Sequence, residues 1–211
     1  MKNINLDATG SSLSAGEKEI EKVLRPTHFN DFAGQAQVVE NLKVFVQAAK
    51  LRNEALDHVL LHGPPGLGKT TLSYIIANEL EVGIKVSSGP VLDKPGDLAG
   101  LLTNLEKDDV LFIDEIGELD PMMLNKLLKV LEDKRVHFES AYYDEDAPGI
   151  PEYIRKLFKE GAPADFILIG ATTRDPSEIN PAIRSRCAEV FFDPLQPEHV
   201  IEIVNHAAEK L

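Results

Sequence analysis

The stretch "HVLLHGPPGLGKTTLSYIIANEL", residues 58–80, constrains this chain more than any other. "HVLLH" is short, apolar at its centre and bounded by turn residues, so it reads as a buried strand. The pattern that starts at Lys69 is helical. Between them Gly63, Gly68, Lys69 and Thr70 satisfy G-x-x-x-x-G-K-[ST]. Glycines let the backbone curl with its N–H groups inward, and the helix adds the positive end of its dipole. A strand, loop and helix in this order grip phosphate. Lysine reaches the β- and γ-phosphates while the threonine hydroxyl ligates Mg²⁺. Gly63, Pro64, Pro65, Gly66, Leu67, Gly68, Lys69, Thr70 and Thr71 are therefore the candidate nucleotide-binding residues, with ATP or ADP as ligand.

A second apolar run, "VLFIDE", ends in Asp114 and Glu115. Two adjacent carboxylates at the end of a buried strand repel one another and call for a cation or a proton. Asp114 is suited to a Mg²⁺ shell, which makes Thr70 and Asp114 the expected metal residues. Glu115 is suited to polarising a water, a step worth about 10²–10⁴-fold. A kinase seldom needs that second carboxylate, so the pair favours hydrolysis. "LIGATTR" supplies a third strand ending in Thr172 and Thr173, placed to contact a γ-phosphate or the attacking water. "NPAIRSRC" places Arg184 and Arg186 after a short helix begun by proline. An arginine offered across a subunit boundary can stabilise transition-state charge by about 10³–10⁵-fold. The candidate catalytic residues are Lys69, Glu115, Thr173 and Arg186, with Arg184 as the alternative finger.

Around these motifs, helical patterns (about 38–51, 69–80, 96–105 and 121–134) alternate with strand patterns at 58–62, 84–88, 110–114, 166–172 and 188–192. That alternation predicts an α/β fold of the P-loop type, a central parallel sheet flanked by helices. Residues 1–16 read as a flexible tail, 17–196 as the ATPase core and 197–211 as the first helix of a helical lid that goes no further. Such a lid would leave the adenine side open. Residues 135–166 break the rhythm and predict an insertion containing a hairpin before the third motif strand, where long loops are usually functional.

With 22 Lys and Arg against 35 Asp and Glu, the net charge of −13 argues against a surface built broadly for nucleic acid. One cysteine rules out an internal disulfide framework, no run is long enough to span a membrane, and a cytoplasmic location is expected.

Taken together, "GPPGLGKTT", "VLFIDE", "GATTR" and "SRC" resemble the Walker A, Walker B, sensor 1 and arginine-finger segments of the AAA+ family of ring-forming ATPases. From about Leu24 to Ile116 the chain closely resembles the RuvB group, motors of Holliday-junction branch migration. That resemblance implies that Arg25, Pro26, Phe32 and Ala33 line the adenine pocket. From about Ile116 to Leu195, "GELDPMMLNKLLKVLEDKRVHFESAYY" and "GAPADFILIGATTRDPSEINPAIRSRCAEVFFDPL" resemble the ATPase module of Lon-type proteases, which implies a mosaic or chimera. By resemblance the protein is a ring homo-oligomer, a hexamer. It acts on a DNA junction in recombination and repair, or on unfolded protein in the Lon-like alternative. A nucleotide-binding module with little turnover is the remaining reading.

Overall fold

Residues 24–137, 156 and 159–210 are described by a computed structural model. The expected tail, and the "SAYYDEDAPGIPEY" part of the insertion, lie outside the described residues. The elements are α1 (Ala36–Arg52), β1 (His58–His62), α2 (Lys69–Leu80), β2 (Ile84–Ser88), α3 (Pro95–Thr103), β3 (Val110–Asp114) and α4 (Pro121–Asp133). They continue with β4 (Arg135–Val136), β5 (Ala162–Pro163), β6 (Ile167–Thr172), α5 (Pro181–Arg184), β7 (Cys187–Phe191) and α6 (Pro197–Lys210).

Five strands form one parallel sheet in the order β2-β3-β6-β1-β7. A parallel sheet is buried on both faces, which is why its strands read as nearly continuous apolar runs. Side chains alternate across it. Val110 and Phe112 of β3 join Val59 and Leu61 of β1 in a core under α1 and α2. Leu111 and Ile113 join Leu60 and Leu168 in a second core under α3 and α4. Phe112 is fully buried, and such a side chain contributes about 1.5–3 kcal/mol relative to exposure.

Helix starts are set by short polar residues placed before proline. Asp120 precedes Pro121 and its carboxylate accepts from the Met122 N–H at 2.8 Å, while Asn180 precedes Pro181 and accepts from Ala182 N–H at 2.8 Å. Each cap satisfies an orphan donor, and the proline occupies a position that needs none. The insertion begins with β4 paired antiparallel to β5, so its base is a two-residue neck. Lys134 at that neck adopts a left-handed conformation, its N–H bonded to Val130 O at 2.8 Å to end α4.

Candidate active site

In a parallel sheet every strand ends at the same edge, and ligands bind outside those carboxyl ends. Here β6 lies between β3 and β1. The loop after β1, the threonines at the end of β6 and the carboxylates at the end of β3 therefore lie at three neighbouring strand ends. Motifs separated by some hundred residues in the chain become one site through this crossover, which local periodicity does not encode.

The phosphate loop is held in shape from two sides. Gly63 N–H donates to Thr172 O at 3.1 Å, tying the loop to β6. Leu67 and Phe32 pack against the first core. Gly68 caps α2 with φ of 85° and no side-chain bond, a left-handed conformation that glycine adopts without strain. A Cβ there would lie 2.6 Å from the Phe32 ring, whereas at Gly66 it would meet nothing within 4 Å. The loop is thus packed from behind and open in front. Helix α2 has no side-chain cap, so its first N–H groups face the loop.

Lys69 is only 6% exposed, and its ammonium donates to the carbonyls of Gly63 (2.7 Å) and Pro64 (2.8 Å). Burial holds it below the usual lysine range, opposed by the charges of Asp114 and Glu115. Burial, followed by the Glu115 charge, raises the Asp114 carboxyl above its ordinary value. A bond from Glu115 N–H at 3.1 Å and the Lys69 charge work the other way. Glu115 has φ of 47° and ψ of 50°, a conformation costing a non-glycine residue about 1–3 kcal/mol. Its carboxylate accepts from the Thr173 hydroxyl at 3.0 and 3.1 Å and from the Thr173 N–H at 3.2 Å. Thr172 turns inward, fully buried, and its Oγ1 accepts from Arg174 N–H at 3.1 Å.

Thr70 and Asp114 offer hydroxyl and carboxylate oxygens, the donor set of a hard cation. The raised carboxyl of Asp114 beside Glu115 is what such a cation relieves, so the residues fit Mg²⁺. No cluster of three or more His, Cys, Asp or Glu suited to a metal occurs among the described residues. Magnesium at phosphate sites takes one or two carboxylates and waters, so it needs no such cluster.

Beside the loop lies a cavity of about 250 Å³ lined by Pro26, Phe32, Ala33, Gly68 and Thr71. Helix α6 contributes Ile203, His206, Ala207 and Lys210 to the same cavity's wall. Nothing local in "PEHVIEIVNHAAEKL" reveals where that helix packs. Arg25 is not among the lining residues; its guanidinium carbon lies 4.6 Å from the centre of the Tyr74 ring on α2.

The two arginines of "RSR" have different surroundings. Arg184 makes a two-pronged pair with Glu189 of β7, at 2.7 and 3.2 Å. Arg186 donates to Ala182 O at 2.9 Å and lies 3.7 Å from Glu132 at the end of α4. It precedes β7, which runs parallel to β1 with Cys187 opposite His58 and Phe191 opposite His62. Arg186 is consequently at the far edge of the sheet, about 13 Å or more from the phosphate loop at a strand rise of ~3.3 Å per residue. Burial pushes the thiol of neighbouring Cys187 up to about 12, which disfavours the nucleophilic thiolate. Arg174, which pairs with Glu118 beside the carboxylates, was not singled out from sequence. Its only signal was adjacency to the threonines.

Fold and site together define a P-loop nucleotide-binding domain with paired carboxylates on the strand next but one. The family model described as the Holliday junction DNA helicase RuvB P-loop domain matches residues 24–191, and the chain belongs to that family. It is 58% identical over 174 residues to the RuvB subunit of the Holliday junction branch migration complex from Christiangramia forsetii. That match takes in 82% of this chain and 48% of the relative. The corresponding subunit of Flavobacterium psychrophilum is 56% identical over 172 residues, 82% of this chain and 48% of its own. Among solved structures, the Thermotoga maritima RuvB branch migration motor superposes with a TM-score of 0.71 at 41% identity, covering 89% of this chain and 54% of that one. The chain thus spans about half the length of the curated relatives it matches. The family match continues across Ile116 as far as residue 191, and the expected change to a Lon-type second half finds no support. Among the described residues no helix is long and apolar enough to cross a membrane.

Proposed function

We propose that this domain binds and hydrolyses ATP and that its turnover drives branch migration of DNA junctions. The observation that carries the reading is the convergence of Lys69, Asp114, Glu115 and Thr173 at one sheet edge beside a loop with an open front. The RuvB relatives, described as subunits of a branch migration complex, support the choice of DNA as substrate.

On this reading the adenine enters the cavity between Phe32 and α6. The phosphates take the inward N–H groups of residues 63–71, and Lys69 exchanges the carbonyls of Gly63 and Pro64 for β- and γ-phosphate oxygens. Thr70 and Asp114 are the residues that hold Mg²⁺, whose charge when bound offsets that of the phosphates. Glu115 takes a proton from the attacking water. Thr173 positions Glu115, because its hydroxyl and N–H already fix both carboxylate oxygens. Arg186 serves a neighbouring subunit in a ring, hexameric by family resemblance, since its own phosphate loop lies at the opposite edge. Arg184 is tied to Glu189 and anchors that segment.

Steady-state ATP turnover with and without four-way-junction DNA tests the proposal. Mg²⁺-dependent hydrolysis that rises with the junction and vanishes in Glu115→Gln is the expected result. Turnover equal in parent and Glu115→Gln overturns the assignment of the site. Turnover indifferent to the junction overturns the substrate.

A further inference from the structure

His62 is the last residue of β1, and its peptide leads into the phosphate loop. Its side chain is 3% exposed, and neither ring nitrogen has a hydrogen-bond partner. A buried imidazole left in this way is destabilising, and such groups usually have a reason. The ring stacks on Phe191, with centroids 4.8 Å apart and planes at 13°. Its Nε2 lies 3.6 Å from Glu189 Oε2, too far for a hydrogen bond. Three charged groups face it: Glu189 from β7, Arg184 from α5, and Asp175 from the segment between β6 and α5. Burial outweighs the two carboxylates and holds the ring below the usual histidine range.

Both ends of this contact lead to functional segments. On one side, His62 O accepts from Phe192 N–H at 2.8 Å, and the next residue, Gly63, supplies a carbonyl to Lys69. On the nucleotide reading, Lys69 leaves that carbonyl for phosphate oxygens, which frees the Gly63–Pro64 peptide one residue beyond His62. On the other side, Glu189 holds Arg184, two residues before Arg186. A carboxylate has about four acceptor sites, so Glu189 can take an N–H from His62 without losing Arg184. Closing 3.6 Å to the length of a charge-assisted bond needs a movement of about 0.8 Å.

We propose that His62 is a positioning residue that couples the phosphate loop of one subunit to the arginine that subunit offers to the next. With nucleotide in the loop, His62 Nε2–H closes on Glu189, and the shared carboxylate sets the position of the segment bearing Arg184 and Arg186. The inference rests on the nucleotide reading above and extends it to a residue outside the motifs. A histidine of purely structural role would leave an apolar substitute neutral or stabilising and turnover unchanged.

The test is ¹⁵N NMR of the His62 imidazole in the whole chain, with and without MgADP and a non-hydrolysable MgATP analogue. Melting under the same conditions reports nucleotide binding independently. With nucleotide, the Nε2 signal moves to that of a hydrogen-bonded N–H and its titration midpoint rises; Glu189→Gln abolishes both changes. His62→Phe keeps the ring volume and the stack on Phe191. It retains the MgATP-induced melting shift and lowers turnover of the assembled protein by roughly 2- to 30-fold. Unchanged His62 signals in protein whose melting shift proves nucleotide bound overturn the coupling and leave the nucleotide reading standing. Parent-level turnover in His62→Phe does the same. Absence of any melting shift in the parent overturns both.

Discussion

Replacing Arg186 with alanine separates assembly-dependent chemistry from binding. Locally the substitution removes little. The contact with Glu132 is 3.7 Å between partly exposed groups, worth on the order of 0.5 kcal/mol, and the bond to Ala182 O is solvent-accessible. At about 2–4 °C per kcal/mol for a domain of this size, melting should fall by no more than about 3 °C. ATP affinity of the isolated chain should be unchanged, because β1 and β7 place Arg186 at the edge away from Gly63. Turnover in assemblies should fall by ~10³-fold or more. Mixing the variant with Glu115→Gln in equal amounts provides the assay, with light scattering to establish mixed oligomers. Roughly a quarter of head-to-tail interfaces then pair an intact Glu115 with an intact Arg186, and activity should return in about that proportion. Loss of ATP affinity in dilute Arg186→Ala protein, or no recovery where mixed oligomers form, refutes the geometry.

Glu115→Gln should bind MgATP and lose hydrolysis, whereas Asp114→Asn should lose the Mg²⁺ dependence of binding; equal affinity loss in both contradicts the division of roles. Asp114 also makes a pH prediction. Its raised folded value means the folded chain holds the proton more tightly, so stability falls as pH rises from the ordinary carboxylate value through the raised one. Without nucleotide, Asp114→Asn should therefore melt higher than the parent near neutral pH and lose that advantage on acidification. Burial lowers His62 and His58, so the unfolded chain binds more protons and stability is lost as pH falls below the ordinary histidine value of about 6.5. The melting slope between pH 8 and 5 should be shallower in His62→Phe, and an unchanged slope contradicts the assignment. Gly68→Ala combines a left-handed penalty of about 1–2 kcal/mol with a contact that displaces Phe32. It should lower both melting temperature and ATP affinity, and a silent substitution would mean that Phe32 does not brace the loop.

The elements that local chemistry specifies were legible. "HVLLH", "KTTLSYIIANEL", "IKVSS" and "VLFID" occupy the spans expected of them, because short apolar runs and helical periodicity are bounded by turn residues such as Gly63, Gly68, Gly83 and Gly89. The helix expected at 96–105 runs Pro95–Thr103, starting on the proline, which pre-sets the first helical φ. The strand expected at 188–192 begins one residue earlier, at Cys187, since pairing with His58 extends it. What was not legible is long-range. No periodicity announces a two-residue neck such as Ala162–Pro163, places α6 across a cavity from Phe32, or inserts β6 between β3 and β1. The site residues were readable because phosphate chemistry demands particular types at fixed spacing. Their neighbours Glu189, Glu118 and His62 were not, because they act through contacts made only in the fold.

Melting of the parent and Lys69→Ala with saturating MgATP tests the central claim most directly. A ligand at 100 times its Kd stabilises by about 2.7 kcal/mol, which for this chain is roughly 5–11 °C. The parent should show that shift. Lys69→Ala, lacking the ammonium that Gly63 and Pro64 hold ready, should show almost none. Equal shifts in the two proteins would contradict the account.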